Sequence, residues 1–258
     1  MSDVFDFTGK VVIVTGGTQG IGRGIAERFL QTGAHVIVCA RNAGTPLVYE
    51  GREALFVVAN VRKPEEIAAV VTTATEKFGR LDVLINNAGG SPPADAATAS
   101  PRFLASIIDL NLTAPFLFAQ RANAVMQTQA DGGVIVNIAS VSGTRPSPGT
   151  AAYGAAKAGL LNVTESLAVE WAPKVRVNAV TAGIVRTERA ELHYGDEAGI
   201  RAVEATIPAG RMGAPRDIAD ACLFLASPFA SYVSGAALLV HGGGERPAFL
   251  DAAKTKES

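Results

Sequence analysis

Cysteine is nearly absent from this 258-residue chain. The two that occur, Cys39 and Cys222, sit in an apolar strand-like run and an apolar helix-like run. That excludes a disulfide framework and reads as a pair of core thiols. Histidine is as scarce: His35, His193 and His241 are scattered, with no pair at ligand spacing, so no metal site is expected. Charge is nearly balanced, at a net −1 with 18% charged residues, which leaves no basic footprint for a nucleic acid. The 48% of hydrophobic residues excludes a disordered chain. No apolar run approaches the ~18–20 residues that span a bilayer, and MSDVFDFTGK at the N-terminus lacks the basic and apolar regions of a signal peptide. The expectation is a cytoplasmic protein with neither a membrane nor a nucleic-acid partner. Internal repeats and low-complexity linkers are lacking too, so residues 1–245 are read as one domain and 246–258 as a tail that frays.

What is present is alternation. Short β-branched runs at 11–15, 35–40, 54–59, 82–86, 134–139, 176–180 and 237–241 are separated by stretches of helical period at about 20–32, 64–78, 101–128, 152–171 and 215–226. Seven such strands predict one doubly wound α/β domain, a parallel sheet with helices on both faces. Three stretches read as irregular: 91–101, a polar run at about 186–213, and the tail. Loops beyond the carboxyl ends of parallel strands frame the ligand crevice in such sheets, which places the first two stretches there and makes 186–213 a candidate lid.

Directly after the first strand comes TGGTQGIG (15–22), with glycines at 16, 20 and 22. A turn without side chains at a helix N-terminus lets backbone N–H groups approach a pyrophosphate, although a glycine-rich turn can equally be an ordinary connection. The second strand ends in Ala40-Arg41-Asn42, where a site for NAD would place an acid on the ribose 2′-hydroxyl. With no acid present and a guanidinium available for a 2′-phosphate, NADP(H) is favoured and NAD(H) remains possible. The alternative for Arg41, and for Arg23, is a solvated surface arginine.

Tyr153 and Lys157, in YGAAK, stand four residues apart on one helix face that continues through Leu160, Thr164, Leu167 and Trp171. An ammonium on that inward stripe is costly unless it is used. One reading is a pair with apolar stems buried and polar tips in solvent. The other is a phenol whose pKa is lowered by the neighbouring cation, so that it exchanges a proton with an alcohol or carbonyl oxygen while hydride moves to or from nicotinamide.

The ordered set of TGGTQGIG, NNAG (86–89), Asn111 in NLTAPFLF, Ser140 in VNIASVSG, YGAAK, VNAVTAGIVRT (177–187), GRMGAPRDIA (210–219) and YVSGAALLVHGG (232–243) resembles the short-chain dehydrogenase/reductase family over about Gly9 to Gly243. The resemblance implies a Rossmann-like fold and a catalytic set of Asn111, Ser140, Tyr153 and Lys157. It makes Tyr153 the acid/base and Ser140 the partner of the substrate oxygen. Lys157 would hold the nicotinamide ribose and tune the phenol, and Asn111 would steady Lys157 through a water. For the cofactor it implies Gly16, Thr18, Gln19, Gly20, Ile21 and Gly22 at the phosphates and Asn60 and Val61 at adenine. It further implies Asn87, Ala88 and Gly89 along the adenosine ribose, and Gly183, Val185 and Thr187 toward the carboxamide. Taken singly, Ser140 could be a turn hydroxyl, Asn111 a helix-kinking amide, and Asn86 and Asn87 props of the sheet backbone.

Three positions depart from the family pattern. Asn60 replaces a common aspartate, keeping a carbonyl acceptor and losing charge. Ala182 replaces a proline, which would loosen the loop to Thr187. His241, where aspartate is frequent, is expected only to pack at the end of the last strand. The segment 41–53 contains Gly44, Pro46 and Gly51 and is read as a loop in place of a crossover helix. The expected activity is interconversion of a secondary alcohol and a ketone, 3-oxoacyl substrates among the possibilities. The alternative is a dinucleotide-binding regulatory protein on the same fold. Ala152, Ala155, Ala156 and Gly159 leave a bare flank on the tyrosine helix, and the resemblance implies pairing there into a homodimer or homotetramer.

Overall fold

The computed structural model describes residues 5–245 and Pro247, so the expected tail lies outside the described residues apart from Pro247. The chain runs through β1 (Val11–Thr15), α1 (Gly20–Gln31), β2 (His35–Ala40), β3 (Val48–Tyr49), β4 (Arg52–Glu53), β5 (Leu55–Val58), α2 (Pro64–Phe78) and β6 (Val83–Asn86). It continues with α3 (Pro101–Ile108), α4 (Ala114–Met126), β7 (Gly133–Ser140), α5 (Ala151–Glu170) and β8 (Val175–Ala182). The last elements are α6 (Ala190–Tyr194), α7 (Glu197–Thr206), α8 (Pro215–Ala226) and β9 (Ala237–Val240). Seven strands form one sheet in the order β5-β2-β1-β6-β7-β8-β9, and every pair in it is parallel.

Alternation along each strand sends side chains to opposite faces. On one side Val12, Val14, Val36, Val38, Ile85 and Val136 pack with Ile25, Phe29 and Leu30 of α1 and Ile218, Cys222 and Leu223 of α8. On the other, Val11, Ile13, Ile37, Leu84 and Ile135 pack with Ile67 and Val70 of α2, Phe118 of α4 and Leu167 of α5. Strands buried on both faces need continuous apolar runs, and that is what the sequence supplies. Both cysteines are free and buried in these layers.

The chain turns outward in opposite directions from β1 and β6, the central neighbours, and this switch point opens a crevice at their carboxyl ends. Buried amides tie the strands and helices around it. Asn86 Nδ2 donates to Asn137 Oδ1 (2.9 Å) and to the Pro115 carbonyl (3.0 Å). Asn137 Nδ2 donates to Thr164 Oγ1 (2.9 Å), whose hydroxyl donates to the Leu160 carbonyl (2.8 Å). Asn86 thus ties a neighbouring strand's side chain and α4 together, where the alternative reading had it serve the sheet backbone.

Four expectations are adjusted. The helix expected at 101–128 is α3 and α4 joined by a π-turn at Asp109–Thr113. Asn111 sits inside that turn, and its Nδ2 donates to the Ile107 carbonyl one turn back (2.9 Å), which competes with the regular ladder. Continuous as it is, Pro101–Met126 is long and apolar enough by length and composition alone to cross a membrane, its most apolar 18-residue window having a mean hydropathy of 1.4, where no such run was expected. Its buried residues Phe118, Ala122 and Met126 belong to the sheet-facing core. The polar run at 186–213 contains α6 and α7. Asp196 caps α7 by accepting from the N–H groups of Ala198 (3.0 Å) and Gly199 (3.1 Å), and Ile200 is buried. Finally, 41–53 is not helical, as expected, but carries a small β3–β4 hairpin turned by Glu50 and Gly51 at positive φ.

Candidate active site

The turn after β1 is built by close approach. Gly16 (φ +66°) and Gly20 (φ +54°) take up left-handed backbone. A Cβ on Gly22 would lie 2.4 Å from the Gly16 carbonyl oxygen and 2.3 Å from Asn87 Nδ2. The Thr15 hydroxyl accepts from the N–H groups of Asn87 and Ala88, both at 2.9 Å, and so joins the ends of β1 and β6. Asn87 Nδ2 in turn donates to the Thr15 carbonyl (2.9 Å). The side chain of Asn87 therefore braces the turn, and a ligand along 87–89 meets mainly backbone. At the start of α1, Gln19 provides no side-chain cap and the first turn holds no acidic residue. Its first N–H groups lack partners within the helix, the setting in which an anion is held, and that of Gly20 donates to Oε1 of Glu188 (2.9 Å).

Beside this turn lies the end of β2. Arg41 is exposed and forms no ion pair among the described residues. Arg23 is committed instead, to Glu27 (3.0 Å) and to the Thr45 carbonyl (2.9 Å). Farther along the crevice, Asn60 Oδ1 accepts from Arg62 N–H (3.2 Å), and the Asn60 N–H donates to Glu66 (2.7 Å). Val61 is buried next to it.

The other wall carries Asn111, Ser140, Tyr153 and Lys157, which the fold brings together. Lys157 is 4% exposed and donates to the Ile138 carbonyl at 2.7 Å, two residues before Ser140. Its Nζ lies 5.6 Å from the centre of the Tyr153 ring. Ser140 Oγ accepts from Ser142 N–H (3.2 Å). Asn111 is fully buried, exchanging hydrogen bonds with the N–H and carbonyl of Gly90 (2.8 and 3.0 Å). A Cβ on Gly89 would lie 2.7 Å from Asn111 Oδ1 and 3.4 Å from Lys157 Nζ, so both side chains face the same glycine.

A family model described as enoyl-(acyl carrier protein) reductase matches residues 16–245. The chain is 38% identical over 239 residues to a 3-oxoacyl-(acyl-carrier-protein) reductase of Vibrio cholerae, covering 91% of this chain and 97% of that one. It is 39% identical over 242 residues to a 3alpha-hydroxysteroid dehydrogenase of Mediterraneibacter gnavus, covering 90% and 96%. The ligand-free structure of an aldohexose dehydrogenase from Thermoplasma acidophilum superimposes with a TM-score of 0.85 at 32% identity, covering 100% of this chain and 98% of that one. The chain belongs to the short-chain dehydrogenase/reductase family. It is an oxidoreductase of that family, whose members bind nicotinamide dinucleotides.

The residues present fit such a cofactor: an α1 start with no side-chain cap from Gln19, an exposed arginine past β2, and a glycine where a side chain would strike Asn111 and Lys157. One electrostatic expectation for this dehydrogenase/reductase is corrected. Burial raises the pKa of the Tyr153 phenol, with the Ser140 hydroxyl pulling it down and Tyr194 nearby adding to the rise. The Lys157 ammonium donates to the Ile138 carbonyl, and burial lowers its own pKa to about 8.

The lid meets both ends of the site. Val185 bridges to Gly213, and the Arg186 N–H donates to the Gly213 carbonyl (2.8 Å). The loop after Ala182 is therefore pinned, not loosened as expected. Gly183 packs on His241, where a Cβ would come within 2.6 Å of the imidazole's own Cβ. Thr187 reaches Gly20, with its Cγ2 3.5 Å from where a Cβ would stand. A cavity of about 340 Å³ opens beyond Ser140, with Val141, Ile184, Ile207 and Leu239 as apolar wall and Arg145, His241 and Glu245 as polar groups. His241 thus lines a cavity as well as closing the last strand. Arg145 and Glu245, an ion pair across this cavity, carry no motif signal that sequence reading could have used.

A lysine with a lowered pKa binds fewer protons in the folded than in the unfolded chain between about pH 8 and its ordinary value of 10.5. Stability should therefore rise with pH across that window, and below it the buried ammonium costs on the order of 3 kcal/mol. Lys157→Met is expected to raise the thermal midpoint of the protein without ligand at pH 7 and to flatten this rise. Denaturation curves from pH 7 to 10 check it, and a lower midpoint for the variant at pH 7 contradicts it.

Proposed function

We propose that the protein is an NADP(H)-preferring carbonyl reductase and alcohol dehydrogenase that interconverts a ketone and a secondary alcohol. The observation that carries this reading is the convergence of Tyr153, Ser140, Lys157 and Asn111 on one crevice wall opposite the uncapped start of α1. A nicotinamide dinucleotide, when bound, supplies or accepts the hydride.

The chain's own groups do the rest. The Gly16–Gly22 turn, with Thr18, Gln19 and Ile21, offers backbone N–H groups to the phosphates. Asn60 and Val61 border adenine, Ala88 and Gly89 offer backbone along the adenosine ribose, and Gly183, Val185 and Thr187 line the nicotinamide end. With one N–H of Lys157 on Ile138, two remain for ribose hydroxyls. Ser140 Oγ accepts from Ser142 and its hydroxyl faces the Tyr153 phenol, so a substrate oxygen seated between the two would take the serine's hydrogen bond in place of the phenol. In the reducing direction Tyr153 gives its proton to that oxygen; a phenol kept neutral by burial is suited to hold it until then. Asn111 is a positioning residue that holds the Gly89–Gly90 backbone against the ammonium.

The similar proteins named above act on 3-oxoacyl, hydroxysteroid and aldohexose substrates according to their names, and the apolar wall with its Arg145–Glu245 rim suits a carbonyl of comparable size. Tyr153→Phe is expected to lower kcat by about 10²–10⁴-fold on whichever ketone of such a panel is turned over. Dinucleotide binding with no turnover across the panel favours the regulatory alternative instead. Turnover of an enoyl thioester alone would shift the reading to carbon–carbon double-bond reduction.

Arg41, exposed and in no ion pair among the described residues, supports NADP(H) over NAD(H). Arg41→Ala should weaken NADPH binding by about tenfold and leave NADH nearly unchanged, as read by fluorescence titration; equal losses for both count against the preference. The reading also places the enzyme in the cytoplasm as a homodimer or homotetramer. Its partner-facing flank is shifted from the expected one, since Ala156 is buried and Gly159 packs on Leu112. Ala151, Ala155 and Ala158 are the exposed small residues of α5 and border a groove of about 500 Å³. Gel filtration with light scattering is expected to give a dimer or tetramer, and a monomer at micromolar concentration overturns this assembly.

A further inference from the structure

The Gly20 N–H, the first of α1, is not vacant. It donates at 2.9 Å to Oε1 of Glu188, a lid residue 168 positions later in the chain. Among the described residues Glu188 pairs with no cation: the neighbouring Arg186 is held by Glu197 at 2.8 Å, and Arg145 by Glu245. A carboxylate with no arginine or lysine has been drawn to a glycine-rich turn that has no acid and no side-chain cap of its own. Thr187, directly before it, lies against the same glycine.

We propose that Glu188 is a displaceable occupant of the dinucleotide phosphate seat, latching the lid to α1 until a diphosphate removes it. This rests on the oxidoreductase reading for the identity of the incoming ligand. The latch itself rests only on the Gly20 contact. One N–H serves one acceptor well, and a carboxylate beside a diphosphate adds like-charge repulsion, so the two anions exclude each other at this position. Cofactor binding must therefore release the segment that carries Thr187, and the fraction of molecules with the latch open scales the apparent affinity. Glu188 thereby sets cofactor affinity and couples the phosphate end of the crevice to the lid over the substrate cavity.

The test compares wild type, Glu188→Ala and the charge control Glu191→Ala, an exposed lid residue outside the contact. NADPH and inorganic pyrophosphate are titrated calorimetrically, and amide hydrogen exchange of the 186–194 segment is followed without added ligand. Glu188→Ala is expected to bind NADPH about three- to tenfold tighter than wild type, an effect of the size of a charge at a helix end. Its lid is expected to exchange faster, and pyrophosphate should speed wild-type lid exchange to the same level. Glu191→Ala should do neither. Equal NADPH affinity in the two variants, or unchanged lid exchange in Glu188→Ala, overturns the proposal. If no form binds a dinucleotide, the oxidoreductase reading fails, and the lid exchange alone then decides whether the latch exists.

Discussion

A single buried ammonium organises this site. Lys157 is enclosed by the protein and must find acceptors there, and it takes the Ile138 carbonyl at the end of β7. That bond draws the head of α5 down over the carboxyl end of the sheet. The helix can come this close only because side chains are missing where it meets the loop after Ser140. A Cβ on Gly143 would stand 2.8 Å from the Lys157 carbonyl carbon, and one on Gly154 would stand 2.8 Å from the Ser142 carbonyl oxygen. Gly143 and Gly154 are thus the condition for setting a hydroxyl, a phenol and an ammonium within one cluster. The cost of holding the charge there is offset only when the site has something to bind, a usual exchange of stability for function.

The opposing wall obeys a different rule. Around the switch point between β1 and β6 the contacts are mostly backbone, arranged by the Thr15 hydroxyl and the Asn87 amide. Side chains there act as braces, and the groups left for a ligand are N–H donors at the start of a twelve-residue helix. An acidic partner for those donors comes from the lid, so the two walls are joined through Glu188 and Thr187 across the mouth of the crevice.

Most of this was legible in the sequence where the physics is local or periodic. β-branched runs buried on both faces, glycines at a strand-to-helix turn, and a tyrosine and lysine on one stripe each follow from residue type and spacing. Departures arose where a distant contact decides. The Tyr153 phenol is governed by burial and the Lys157 ammonium by a carbonyl on another element, and spacing reports neither. The Asn87 side chain is spent on Thr15, a bond across two strands that residue type alone does not show. Helices α6 and α7 did leave a signal, an Asp196-Glu197 start followed by Ile200 and Val203, but the surrounding charge masked it. Arg145–Glu245 and Gly20–Glu188 join residues about a hundred or more positions apart and are invisible to any local pattern.

The π-turn at Asp109–Thr113 carries a consequence for how this chain can vary. A turn of that kind holds one residue more than the helix on either side, and each residue rotates a helix by about 100°. Losing one residue there would close it to a plain α-helix and take Asn111 away from Ile107 and Gly90, while Phe118, Ala122 and Met126 kept their phase on the sheet. The extra residue is therefore what brings one amide to the site while the rest of the helix keeps its seat on the core.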